Sequence, residues 1–276
     1  ITTNTGINLL DPTDEPNRNT MFLLFLCAVI KAVDEHQDLL RISVASAAND
    51  HRLGANEAPP AIVSMYLGDE LMAVLDAIEN NKSYEKTDSG LLRYAHVLPR
   101  LAKDTTDRNR TSPFAFTGNK FEFRMLGSAQ SVSGPNTVLN TIVAEALDAF
   151  ADELEGAEDL DGAVHGLLQK TLKEHKRIIF NGDGYAAAWQ EEAANRGLLN
   201  LKSTPDALAY LTDEKNVKLF QKGDSTFAAR LQLLQEQREK LEEQKAQLQT
   251  AMDKLDYKIS RYEKAVETGK LTWEED

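Results

Sequence analysis

Positions 21–30 form an almost unbroken apolar run, entered through capping residues at 17–20 and broken by Lys31. Met21, Leu24 and Ala28 share one side of a helical wheel, with Phe22, Phe25, Val29 and Ala32 beside them. That spacing predicts a helix to about His36 that is apolar nearly all round and therefore buried. Ile62, Met65, Tyr66, Leu71, Leu75 and Ile78 predict a second helix over 62–80, and Val138, Ile142, Ala146 and Phe150 a third over 136–154. Residues 160–178 read as a further helix. A turn over 179–185, a helix containing Trp189 and a short helix capped by Ser203, Thr204, Pro205 and Asp206 come next. The period changes at 111–124, where Phe114, Phe116, Phe121 and Phe123 flank Thr117-Gly118-Asn119; two antiparallel strands meeting at a turn are expected. Residues 47–60 read as loop.

The last segment has a different rhythm. Leu234, Leu241, Leu248, Leu255 and Tyr262 recur every seven residues, with Leu231, Met252, Ile259 and Val266 on the neighbouring stripe. Arg238 and Lys245 interrupt that second stripe, and Glu and Gln fill the flanks, so a two-helix or self-paired coiled coil starting after Asp224-Ser225-Thr226 is predicted. The whole reads as α+β and predominantly helical, with one short antiparallel strand pair and a long C-terminal coiled-coil helix.

The chain has 276 residues, 42% of them apolar and 27% charged, the profile of a folded chain with one large or two modest domains. Its net charge of −13 argues against a nucleic-acid partner, because phosphate backbones are held by clustered Lys and Arg. A local basic pocket for an anionic small molecule is compatible with that total. A single cysteine, Cys27, excludes a disulfide framework and fits a reducing, cytoplasmic compartment. The run at 21–30 falls short of the roughly 20 residues that span a bilayer, so no membrane partner is expected. Opening on Ile1 with neither an initiator Met nor a signal-like segment, the chain reads as a truncated or processed product.

Two stretches concentrate chemistry. Arg108-Asn109-Arg110 is followed after the aromatic turn by Lys120, Glu122 and Arg124, which on a strand would project from one face. Guanidinium forks match carboxylate and phosphate oxygens, and a carboxylate between cations can take Mg²⁺ or hold an arginine in place. A solvated strand face with one internal salt bridge fits the same spacing. His51, Arg52 and Glu57 form the second group, in a Gly-Ala-Asn loop ended by Pro59-Pro60 that reads equally as surface loop. No zinc spacing is present. Asn181-Gly182-Asp183-Gly184 lacks the context of a phosphate loop and reads as a turn, and Ser112 and Ser128 have no nearby His.

Both stretches coincide with a known pattern. Asn49-Asp50-His51-Arg52-Leu53-Gly54-Ala55-Asn56-Glu57-Ala58-Pro59 resembles the flap of glutamine synthetases, and Arg108-Asn109-Arg110 resembles their Arg-Asn-Arg motif. The wording from 111 to 124, the opening Thr-Asn-Thr-Gly-Ile-Asn-Leu-Leu and the stretch 176–185 resemble the type III branch, over about residues 1–220. The resemblance implies part of the catalytic domain at 1–150, a helical type III extension at 151–220 and a separate tail at 221–276. It further implies ligation of ammonia to glutamate through γ-glutamyl phosphate, with ATP and Mg²⁺ or Mn²⁺, in a homo-oligomer. By motif position Arg52 and Arg124 would bind glutamate, Glu57 would close the site and take a proton from ammonium, and Arg110 would stabilise the phosphoryl group. Glu122 would be a metal ligand and Lys120 a nucleotide-side cation. One departure is visible: Phe114-Ala115-Phe116 stands where better-known branches carry a further phosphate-side arginine. The family's small N-terminal sheet domain and other metal ligands do not occur in these residues, so the chain alone is expected to be inactive.

From about Gln221, including Gly223-Asp224-Ser225-Thr226 and Leu255-Asp256-Tyr257-Lys258-Ile259, the tail resembles the C-terminal pairing helix of MerR-type transcriptional regulators, which suggests a fused or rearranged frame. A competing reading follows, in which the chain is a non-catalytic interaction protein or regulator remnant acting through that coiled coil.

Overall fold

The computed structural model describes residues 1–55, 58–84, 91–92, 101–102, 111–221 and 227–273. Contacts divide the chain into two units, Ile1–Phe220 and Gln221–Asp276. The first is α+β and mostly helical. Helix α1 (Thr20–Glu35) is its axis, begun by the Asn19 side chain accepting from the Phe22 amide. Ten of its residues are buried, as a helix apolar on nearly all sides requires. Two long helices pack on it, α5 (Ser133–Leu154) and α6 (Leu160–His175), which buries Ile142, Phe150, Leu168 and Leu172. Between α1 and α5 in sequence lie α2 (Gln37–Ile42), α3 (Ala47–Arg52) and α4 (Asp69–Glu79). After α6 come a 3-10 turn at Lys176–Ile178, α7 (Ala187–Asn195), α8 (Thr204–Leu208) and α9 (Glu214–Gln221).

A small sheet carries β1 (Met65–Tyr66), β4 (Phe114–Phe116) and β5 (Phe121–Phe123) in the order β1-β4-β5. The expected antiparallel pair is there, with Phe114 opposite Phe123 and Phe116 opposite Phe121. Its turn passes through Gly118 at φ +96°, a conformation open to a residue without Cβ. Phe114 stacks on Phe121 at 4.8 Å and Phe116 meets it edge-on at 5.2 Å, while Phe116 also reaches Phe22 of α1. A separate antiparallel pair joins β2 (Leu91–Leu92) and β3 (Leu101–Ala102).

Two expectations are corrected. Residues 62–66 are extended, not helical: Met65 pairs in parallel with Phe114 on one side and bridges Ile179 on the other. Ile62, Val63, Ser64 and Met65 are all buried, so no face is left for solvent, and an interior strand satisfies that where an amphipathic helix does not. The helix starts at Asp69 after Gly68 turns the chain at φ +81°, with the Asn181 side chain accepting from the Leu67 and Gly68 amides. Residues 47–52, expected as loop, form α3, capped by the Ser46 hydroxyl on the Asn49 amide.

Buried polar groups link these elements. Asp34 of α1 accepts from Arg177 Nε at 2.9 Å and meets His175 Nδ1 at 2.9 Å, fastening the end of α6 to the core. Asp38 of α2 accepts from Lys215 and Asn216 of α9, each at 2.9 Å. The second unit is the single helix α10 (Phe227–Thr268), whose chain returns so that Trp273 lies against Tyr257 and Tyr262. The proposed start of that helix at 224–226 lies outside the described residues. No described helix is long and apolar enough to cross a membrane.

Candidate active site

The hairpin exit and α3 converge on one place. Arg52, the last residue of α3, is half-buried and donates through Nη1 to Asn49 Oδ1 at 3.0 Å and to the Met125 carbonyl at 3.1 Å. Its Nη2 donates to the Arg124 carbonyl at 3.3 Å, so two arginines 72 residues apart in sequence become neighbours. Asn49 is the pivot: it is buried, and its Nδ2 donates to the carbonyls of Val44 and Met125 at 2.8 and 2.9 Å. Gly127 leaves room for it, since a Cβ there would sit 3.3 Å from Asn49 Oδ1.

On β5 the pleat places Glu122 and Arg124 on one face and Phe121 and Phe123 on the other, as alternation dictates. Arg124 Nη2 donates to Glu122 Oε2 at 3.2 Å, and the Thr117 hydroxyl donates to Glu122 Oε1 at 3.3 Å. Lys120, just before β5 and expected on the face of Glu122 and Arg124, is exposed and instead contributes to a groove of about 540 Å³ walled by Phe121, Phe123, Leu139 and Val143, since the regular alternation begins only at Phe121. That groove is apolar and lies on the side of the phenylalanines, away from the Glu122–Arg124 pair. It has the wrong lining for a charged substrate, so the geometry of the arginines marks the site better than cavity size does.

The loop after α3 is pinched at its root. Gly54, at φ +79°, donates its amide to the Pro59 carbonyl at 2.9 Å, and Ala58 donates to Ala55 at 3.0 Å. Glu57, Arg108, Asn109 and Arg110 lie outside the described residues. Thr111, which follows them, is held: its hydroxyl accepts from the Gly184 amide at 2.9 Å, and its carbonyl is 2.9 Å from where a Gly184 Cβ would stand. The turn at 181–184 thus fits against the segment leaving Arg110, and Gly184 is required there for close backbone approach.

Sequence reasoning missed the clamp that seats α3. Asp50 accepts from the buried Arg41 at 2.6 Å and from the Thr204 amide at 2.5 Å, while Arg41 Nε donates to the Leu201 carbonyl at 2.7 Å. Burial raises the Asp50 pKa, but hydrogen bonds from Arg41 and Thr204 outweigh it and leave the carboxyl below its ordinary value. The presence of Asp50 inside the flap motif was the available signal; its partners Arg41, nine residues upstream, and Thr204, 154 residues downstream, had none. Cys27 is fully buried, and burial pushes its thiol up to about 12, so it is a core residue without nucleophilic character.

Among the described residues no group of three or more His, Cys, Asp and Glu could hold a metal ion. Glu122 supplies one carboxylate where a divalent ion takes several oxygen ligands.

A model of the glutamine synthetase C-terminal domain matches residues 163–250. Type-3 glutamine synthetase of Dictyostelium discoideum is 50% identical over 240 residues, covering 86% of this chain and 33% of that protein. Glutamine synthetases of Butyrivibrio fibrisolvens and Bacteroides fragilis are 48% and 45% identical over 80% and 78% of this chain. The chain spans about a third of the length of these curated relatives. The likeness that the motifs carry is shown by these matches. It also reaches beyond residue 220: an alignment covering 86% of this chain cannot end before that point, and the domain match runs on to 250, inside α10.

Proposed function

We propose, from this kinship to type III glutamine synthetases, that the chain is the portion of such an enzyme that holds glutamate and the phosphoryl group passed to it. In the intact protein the reaction is ATP-dependent joining of ammonia to glutamate through γ-glutamyl phosphate. The single observation carrying this reading is the approach of Arg52 to the Arg124 backbone beside Glu122, 72 positions apart in sequence and brought together through Asn49.

Arg124 and Arg52 present fixed cations to the carboxylate end of glutamate, and Glu122 restrains Arg124 so that little ordering remains to be done on binding. Arg110 is assigned to the developing phosphoryl charge, Glu57 to proton removal from ammonium on the loop rooted at Gly54, and Lys120 to the nucleotide side. A divalent ion, Mg²⁺ or Mn²⁺, would neutralise phosphate charge, with Glu122 as one ligand and the remaining ligands from parts of the enzyme beyond these 276 residues. Cytoplasmic location and a homo-oligomeric state with sites between subunits belong to the same reading.

The test is a chimera in which this chain replaces the matching third of the Bacteroides fragilis enzyme. Glutamine formation is expected from the chimera and none from the chain alone. Arg124→Ala is expected to lower kcat/KM by roughly 10² to 10³, the usual loss when a fixed donor to a reacting group is removed. An Arg124→Ala chimera as active as its parent would refute the assignment. A second reading, an interaction protein acting through its tail, is favoured by the seven-residue apolar repeat along α10. It predicts self-association with no glutamate binding.

A further inference from the structure

The Asn49 carboxamide is out of water, and each of its polar atoms has a partner. Both Nδ2 protons go to backbone carbonyls, of Val44 at 2.8 Å and of Met125 at 2.9 Å. That fixes the plane of the amide and turns Oδ1 towards Arg52 Nη1 at 3.0 Å. The opposite flip would set Oδ1 against two carbonyl oxygens and Nδ2 against a cation, so these partners admit one orientation. The backbone beneath is held as well: the Asn49 amide donates to Ser46 Oγ at 3.1 Å, which also accepts from Gln130 Nε2 at 2.6 Å.

This fixed acceptor decides which edge of Arg52 is left over. A guanidinium carries five N–H groups. Asn49 Oδ1 and the Met125 carbonyl take those of Nη1, and the Arg124 carbonyl takes one of Nη2. Consecutive carbonyls thus lie across the outer edge formed by Nη1 and Nη2. What remains is Nε–H and the second N–H of Nη2, parallel along the side edge, and among the described residues neither has an acceptor.

We propose, resting on the assignment of Arg52 to glutamate, that Asn49 is a positioning residue for that substrate: it turns Arg52 so that the Nε–Nη2 edge is the one offered to a glutamate carboxylate. Two parallel donors match the two oxygens of a carboxylate, which a freely swinging cation does not. An arginine held in this way has little freedom left to lose when substrate arrives. Gly127 belongs to the same device. A Cβ there would lie 3.3 Å from Asn49 Oδ1 and 3.7 Å from Gln130 Cδ, so a side chain at 127 crowds the amide in its seat.

The test uses the full chain for the geometry and the chimera with the Bacteroides fragilis enzyme for the chemistry. In arginine side-chain NMR spectra of the full chain, the Arg52 Nε–H signal is assigned by its loss in Arg52→Lys. It is expected to be as ordered as the backbone and to become mobile in Asn49→Ala. In the chimera, Asn49→Ala is expected to raise KM for glutamate at least ~10-fold while kcat and the KM for ATP stay within about 2-fold, as when binding shared by ground and transition states is lost. Gly127→Ala removes no polar group, so it reports even where Asn49→Ala does not fold; a rise of about 3-fold in the same KM is expected. Lysine is a point charge with no edge to orient, so adding Asn49→Ala to Arg52→Lys is expected to raise KM by less than about 2-fold further. A residue that only stabilises α3 would lower the melting point without moving KM. An Arg52 signal that stays ordered in Asn49→Ala, or an unchanged KM for glutamate in an active chimera, overturns the positioning role and leaves the proposed function standing. A parent chimera that makes no glutamine overturns the proposed function and, with it, glutamate as the ligand of that edge.

Discussion

Replacing Asp50 by Ala removes the anion of the clamp that seats α3. Arg41 is 1% exposed and Asp50 18%, so the pair is largely out of water, and the guanidinium left behind keeps its charge. Breaking a buried pair by deleting one partner costs about 3–5 kcal/mol. Arg41 retains its bonds to the carbonyls of Leu201 and Lys202, and Asp50 has some solvent, which places the expected loss at the low end, about 3 kcal/mol. Arg41 Nη1 already finds no hydrogen-bond partner among the described residues, so the site has no spare acceptor to offer. For a unit the size of Ile1–Phe220, where about 1 kcal/mol moves Tm by 2–4 °C, the melting point should fall by about 6–12 °C.

The assay is thermal unfolding of the parent and of Asp50→Ala and Asp50→Asn, followed by near-ultraviolet circular dichroism. The folded pKa of Asp50 lies below its unfolded value, so its stabilisation is fully present above the unfolded value near 4 and is lost as pH falls through the folded one. The gap between parent and Asp50→Asn should therefore be constant from pH 5 to 7 and shrink below pH 4. A Tm change under about 2 °C for Asp50→Ala, or a gap that widens on acidification, would refute this account of the clamp.

Further outcomes follow from packing and backbone geometry. Trp189→Ala should cost about 3–5 kcal/mol in the same melts, since Trp189 is 1% exposed and stacks on Phe180 at 3.6 Å beneath Arg196. Gly54→Ala forces a side chain into φ +79° and should cost about 1 kcal/mol; hydrogen exchange at the amides of residues 54 and 58 should rise while that of α1 stays unchanged. Cys27 in the folded chain should react with a disulfide reagent at pH 8 at least ~10²-fold more slowly than in denaturant, where its thiol returns to an ordinary value.

The sequence by itself determined the elements whose signal is local. Helices α1, α5 and α6 follow from apolar spacing at the helical period, and the hairpin follows from alternating phenylalanines around Thr117-Gly118-Asn119. The motifs also single out Arg52, Glu122 and Arg124. What spacing could not decide was the conformation of 62–66, because Ile62, Met65 and Tyr66 satisfy a helical stripe and a short buried strand equally. Only the flanking partners Phe114 and Ile179, far away in sequence, choose the strand. The same limit hid the clamp, since Arg41, Asp50 and Thr204 form one charged unit only after α8 has packed beside α2. Tertiary structure likewise decided that Arg52 donates to the Arg124 carbonyl. Hydrogen bonds act over about 3 Å, so chain segments separated by tens of residues share one only where folding has closed that distance.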